Sequence, residues 1–338
     1  MSGQVGSNGM RPGRANCKPM AGVAQIDGVY AASVTNEEAG TGCTVIVCPK
    51  GATGAVDVRG GAPASRETDL LRPEETVDVL HAVVLSGGSA FGLSASCGVA
   101  EELERRGIGV DVGVGRVPIV SSACLFDLAC GASDVRPTVA DGARVAALAL
   151  DGPREALSCG NHGAGTGCTV GKFLGPERAM KAGLGEHVER AGELVCGAVA
   201  AVNALGNVVD PESGAPVAGA LAEDGHTVAS DADAIAAVAA AAPWLRSNTT
   251  ISCVVTNARL TKAQATKVAQ MSADAYAHAI RPTHTTNDGD TVFVMATGEV
   301  EAPVDAVGML AVRALEGAIV RGAREARSAY GFTAARDL

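Results

Sequence analysis

The chain has 338 residues, enough for one large domain or two ordinary ones. Lys and Arg total 27 against 37 Asp and Glu, and the net charge of −10 argues against a nucleic-acid surface, which needs clustered Lys and Arg. Hydrophobic residues at 47% exclude global disorder, while 3% aromatics and 43 Gly imply a core of Ala, Val, Leu and Ile with close backbone approaches.

In chain order, residues 1–20 read as a disordered tail without the apolar stretch of a signal peptide. Thr44–Cys48 is a β-branched strand candidate. Glu74–Leu85 reads as a helix passing into an apolar strand, and Gly88–Arg106 as a second helix ended by Gly107. The uncharged run Val79–Ala100 is broken by Ser86-Gly-Gly-Ser89, which no simple membrane helix wants. Val139–Leu150 is helical, and Ala191–Leu205 is ambiguous between helix and buried strand. Asp231–Ala242 is an Ala/Val/Ile helix stopped by Pro243. Thr250–Thr256 is a strand, Thr261–Ile280 a helix N-capped by Thr261, Thr291–Ala296 a strand and Val304–Ala326 a closing helix. This alternation gives an α/β class with helices covering sheet faces. Gly-Thr-Gly-Cys-Thr-Val occurs at both 40–45 and 165–170, either as a structural repeat or as convergent glycine turns entering strands.

The common cofactor motifs fail. Gly171-Lys172 ends like a P-loop, but Thr166 and Phe173 occupy required positions. Gly113-x-Gly115 lacks the third glycine of a dinucleotide fingerprint. The ten cysteines contain no Cys-x-x-Cys and no zinc-finger spacing, so the expectation is no metal, reduced thiols and a cytoplasmic, membrane-free protein. His278 and His284 flank a helix end, where histidine commonly just meets the last carbonyls.

Five places carry more chemistry. Leu85-Ser-Gly-Gly-Ser-Ala-Phe-Gly-Leu93 opens a helix with small residues, offering N–H groups around Gly88 and Ser89 to an oxyanion, or simply making a tight turn. Ser247-Asn-Thr-Thr250 stands before a buried strand. A Thr exposed there as a new N-terminus would combine a nucleophilic hydroxyl with its own amine as base. On these residues alone a polar turn into a strand is the better reading. Asp288-Gly-Asp290 puts two carboxylates on one side of an extended chain, or makes an Asp-Gly turn. Lys172 follows glycine-rich backbone and Asn203 interrupts an apolar run, and either needs a partner if buried.

Together these segments resemble the DmpA/NylC family of self-cleaving N-terminal-nucleophile hydrolases, over about residues 40–300. The resemblance is carried by Asp57-Val-Arg-Gly-Gly-Ala-Pro63, Arg66-Glu-Thr-Asp69, the 85–93 segment, Val117-Pro-Ile-Val120, Leu125-Phe-Asp-Leu128, Gly163-Ala-Gly-Thr-Gly167, Val202–Asp210, Asn248-Thr-Thr-Ile251 and Asp288-Gly-Asp290. The Asn-Thr and Asp-Gly-Asp forms look like the NylC branch, which includes nylon-oligomer hydrolases. The opening Ile26–Ser33 and the Ser-Ser after Val120 depart from the usual family pattern, where pocket or interface shape is set.

The resemblance implies a single four-layer αββα domain over residues 21–338, cleaved at Asn248–Thr249 into an α subunit 1–248 and a β subunit 249–338. It implies Thr249 as nucleophile supported by Lys172, Asn203, Asp288 and Asp290, with Gly88, Ser89 and Phe91 as oxyanion or substrate-binding residues. No cofactor is implied. The implied activity is hydrolysis of small peptides or amides, amide oligomers included, by a homo-oligomer of αβ units. The alternatives are a β-peptidyl or D-amino-acid aminopeptidase, an acyltransferase, and a catalytically silent binding homologue.

Overall fold

A computed structural model of the chain describes residues 22–240 and 248–338. The tail expected at 1–20 lies outside them. The first half carries β1 (Tyr30–Asn36), β2 (Thr41–Val58), β3 (Ala64–Arg66), β4 (Leu80–Ser86), helix α1 (Ser94–Arg105), the short pair β5 (Val110–Asp111) and β6 (Arg116–Val117), β7 (Val120–Cys124) and α2 (Val139–Asp151). Next come β8 (Thr169–Val170), β9 (Met180–Lys181), β10 (Leu184–Ala191), β11 (Leu194–Asn203), β12 (Asn207–Val209), β13 (Pro216–Ala218) and α3 (Asp231–Ala240). The chain closes with β14 (Thr249–Ala258), α4 (Lys262–Ser272), α5 (Asp274–Ala279), β15 (Ile280–Arg281), β16 (Thr291–Val300) and α6 (Val304–Arg324).

The main sheet runs β10-β11-β14-β16-β2-β4-β7-β3, with β1 also on β2. The long strand β2 belongs to two sheet halves. Its start pairs with β4, Cys43 opposite Ser86, and its end pairs with β16, Val58 opposite Thr291. Side chains alternate along β2. Cys43, Val45 and Val47 join a core with Val99 and Leu103 of α1 and Val145 of α2. Ile46 and Cys48 enter the larger core, which also holds Val199, Ile251, Val254 and Phe293 of the other half and Ala311, Leu315 and Ile319 of α6. A strand buried on both faces loses the polar alternation of a half-exposed one, and β11 and β14 are buried at every position. The result is helices, two sheet halves and helices, the layered α/β arrangement expected.

Local departures have plain causes. No helix forms over 74–79; turns there lead into β4. The ambiguous run becomes β11, because its β-branched and small residues lie between β10 and β14. The helix expected over 261–280 starts as expected, with Thr261 and Gln264 in a capping box. It then divides at Ala273, and Ile280 pairs with Val208 in β15. The last two residues of the helix expected to end at Ala242 fall outside the described residues. The two hexapeptides meet. The first enters β2, the second ends in β8, and a Cβ on Gly167 would lie 2.2 Å from the Gly40 carbonyl oxygen, so only glycine fits. Both abut Asp127, whose carboxylate takes the Thr41 hydroxyl at 2.7 Å.

Candidate active site

Thr249 is the first residue of β14, buried to 5% exposure, directly opposite Asn203 on β11. Asn248 makes a single parallel bridge to Asp288, so the segment before β16 lies beside the Asn248–Thr249 peptide. The Thr249 hydroxyl donates to the Asn248 carbonyl oxygen, which also accepts the Gly289 N–H at 3.1 Å. A Cβ at Gly289 would stand 2.7 Å from Thr249 Oγ1, so the glycine between the two aspartates gives the hydroxyl its room.

The other residues gather around this junction. Lys172 Nζ donates to Asn203 Oδ1 at 2.7 Å and to the Asn203 carbonyl at 3.2 Å. Asn203 Oδ1 also takes the Thr169 N–H, and its Nδ2 donates to the Phe126 carbonyl. These contacts fix the amide's orientation next to Thr249. Asp290 is saturated. Its Oδ1 accepts the Thr250 N–H at 2.8 Å, and its Oδ2 accepts the Thr283 hydroxyl, the His284 N–H and a contact from His284 Nδ1 at 3.0 Å. Asp288 differs. Its Oδ2 takes the Thr285 N–H, while among the described residues its buried Oδ1 has no hydrogen-bond partner, and neither has the buried Asn248 Oδ1.

Burial lowers the Lys172 ammonium to about 7, opposed by the Asp288 charge. Cys168 also lies near, but burial pushes its thiol up to about 12, so it is neutral when Lys172 titrates. Burial first, and the Asp290 charge second, push Asp288 up to about 6. A proton on Asp288 would turn its orphan oxygen into a donor, and the neighbouring orphan on Asn248 is an acceptor.

A cavity of about 350 Å³ opens beside the junction, with Lys172, Thr169 and Asn248 in its wall. The segment 88–91 is placed differently from the sequence expectation. The Gly88 N–H is spent on Asp127 Oδ1 at 2.7 Å and the Ser89 N–H on the Leu125 carbonyl at 2.9 Å. Neither donor is open to an oxyanion in this structure. Phe91 is 59% exposed, with the Arg136 guanidinium 3.9 Å from its ring centre, and it does not line the cavity.

Sequence reasoning missed Gly289, Thr283 and His284. His284 is not a helix-end residue but stacks on Tyr276 with ring centres 5.3 Å apart, and the Tyr276 hydroxyl lies 3.1 Å from the carbonyl oxygens of Thr250 and Thr291. The left-handed φ of +57° at His284 was the signal, and it is visible only in the backbone. Among the described residues no His, Cys, Asp and Glu cluster could hold a metal, the nine described cysteines are free, and no helix is long and apolar enough to cross a membrane.

The family profile of peptidase family S58 matches residues 22–336. An uncharacterized aminopeptidase of Mycobacterium tuberculosis (strain H37Rv) is 39% identical over 320 residues, covering 88% of this chain and 89% of that protein. A 6-aminohexanoate-oligomer endohydrolase of Kocuria sp. (strain KY2) is 34% identical over 278 residues, covering 82% and 75%. The solved L-aminopeptidase D-Ala-esterase/amidase of Ochrobactrum anthropi, described as a variant of the Ntn hydrolase fold, superposes with a TM-score of 0.64 at 17% identity over 91% of this chain and 87% of its own. The layered fold, the full-length profile match and the relatives agree: the chain belongs to peptidase family S58 and is a hydrolase of peptide or amide bonds with an Ntn-type fold.

Proposed function

We propose that this chain is a precursor that cleaves its own Asn248–Thr249 bond and then hydrolyses small amides or peptides with Thr249 as nucleophile. The observation that carries the reading is the junction itself. A buried threonine hydroxyl lies against the carbonyl of the preceding residue, and a backbone N–H already holds that carbonyl oxygen. Polar groups needing partners converge there, where a merely structural turn would leave them costly.

In self-cleavage, Thr249 Oγ attacks the Asn248 carbonyl carbon while its proton passes to a base. The oxygen becomes an oxyanion facing the Gly289 N–H. The C–N bond then breaks as the nitrogen takes up a proton, leaving an ester between Asn248 and Thr249 Oγ. Asp288, protonated below about 6, supplies that proton. Water hydrolyses the ester, releasing the Asn248 carboxylate and freeing the Thr249 hydroxyl and α-amine. In turnover the α-amine takes the hydroxyl proton and hands it to the leaving amine, and a second water releases the acyl group. Lys172 and Asn203 set the charge and the amide dipole facing this chemistry.

The test is amide hydrolysis by wild type and Thr249→Ala. The variant should lose at least about 10³-fold in kcat/KM, the scale on which a removed nucleophile acts. Retained activity would remove Thr249 from the reaction.

A further inference from the structure

The cavity beside the junction has a composition that bears on which amides are cleaved. Phe126, Leu128, Pro176, Leu205 and Phe332 supply an apolar wall. One carboxylate, Asp127, also borders it, but both of its oxygens are engaged, by the Gly88 N–H and the Thr41 hydroxyl. The cationic side chain in the wall is Lys172. Among the described lining residues no carboxylate with an open oxygen is left to meet an ammonium group, and the one amine present, Lys172, offers no negative charge to pair with it.

Asn248 fixes what the cavity receives. It is the residue on the acyl side of the self-cleaved bond, and it forms part of the wall. In the precursor it stands where the acyl portion of a substrate must later stand, because Thr249 attacks both carbonyls from the same place. Its Oδ1 is buried without a partner among the described residues. The surroundings therefore do not reward a polar acyl side chain.

We infer that this cavity is the acyl subsite and that it selects uncharged, apolar acyl groups, so that the enzyme cleaves internal or N-capped amides in preference to those whose acyl part bears a free ammonium. The inference rests on Thr249 as the nucleophile. It separates an endo-acting amide hydrolase from an aminopeptidase by the chemistry of one pocket. A volume of about 350 Å³ is at the small end for ligand sites, matching an acyl chain and not a folded peptide.

The experiment uses the processed protein and four p-nitroanilides sharing one leaving group: hexanoyl, 6-aminohexanoyl, N-acetyl-leucyl and leucyl. At pH 7 to 7.5 the 6-aminohexanoyl amine is fully charged. Hexanoyl should exceed 6-aminohexanoyl, and N-acetyl-leucyl should exceed leucyl, each by about 100-fold in kcat/KM, the scale of a buried mismatch. Ala129 borders the cavity and is exposed, so Ala129→Asp places a carboxylate there without disturbing the core. It should shift both ratios toward the ammonium-bearing substrates by about 10-fold, the scale of one charge pair. Wild-type protein that is split at Thr249 yet cleaves the ammonium-bearing substrates equally well or faster overturns the inference and leaves the nucleophile standing. Protein that neither splits nor hydrolyses any of the four overturns the nucleophile assignment, and the inference falls with it.

Discussion

The two aspartates on either side of Gly289 sit in the same loop and have opposite surroundings. Asp290 holds Thr250, Thr283 and His284 through both oxygens, so its charge is satisfied and its role is to fix the start of β14. Among the described residues Asp288 keeps one buried oxygen without a partner, and the bridged Asn248 has a side-chain oxygen in the same condition. A fully bonded carboxylate stabilises, while a partly bonded one is costly and reactive. The fold therefore anchors one side of the junction and leaves unspent hydrogen-bonding capacity where the proposed self-cleavage needs a proton to move.

The contrast can be broken from either side. Asp288→Asn should slow self-cleavage by about 10²- to 10³-fold, the usual weight of a general acid, with little change in folding. The pH profile sharpens this. Since Asp288 is pushed up to about 6, self-cleavage of wild type should fall as pH rises through that value, and the Asn variant should lose this limb. The stability sign agrees. A raised carboxyl pKa contributes stability at low pH that is lost as pH climbs from its ordinary value near 4 through about 6, so across this window wild-type Tm should fall by more than that of Asp288→Asn, in which buried Glu186, pushed up to about 7, still loses stability. A time course of subunit appearance and a melting series check both, and unchanged maturation would remove Asp288 as the acid.

Asp290→Ala should act on stability first. It strands the Thr250 N–H, the Thr283 hydroxyl and the His284 N–H, and a loss of about 3 kcal/mol follows from unpaired buried donors. Chemical denaturation measures it, and a loss well under 1 kcal/mol would contradict the anchoring role. The smallest effect is expected at Phe91→Ala. Its ring is exposed and away from the cavity, so kcat/KM should change by less than about 2-fold, a surface-substitution scale. A large rise in KM would return Phe91 to the substrate site.

Much of this arrangement was legible in residue types. Thr44–Cys48 and Thr250–Thr256 read as strands from their β-branched and apolar content, and Thr261 as a helix N-cap, to which the structure adds the Gln264 half of a capping box. Lys172, Asn203, Asp288 and Asp290 stood out as polar residues in apolar or glycine-rich settings, whereas Asn248 and Thr249 read on their own as a polar turn and were singled out by the family resemblance; the structure places all six around one junction. The remainder depended on tertiary pairing. Glu74–Leu85 reads as a helix passing into an apolar strand, and only the strand part forms, as β4 between β2 and β7, partners that a local pattern does not reveal. Gly88 and Ser89 looked like open donors because nothing in their own segment shows that Asp127 and Leu125 take them. His284 and Gly289 act through backbone placement, which residue type does not record.

The most direct test of the central claim is the intact mass of the purified protein beside Thr249→Ala. Wild type should resolve into two polypeptides, one ending at Asn248 and one of residues 249–338 beginning with Thr249, and the Ala variant should remain a single chain of 338 residues. A wild type that stays whole, or a variant that splits at the same bond, would contradict the account.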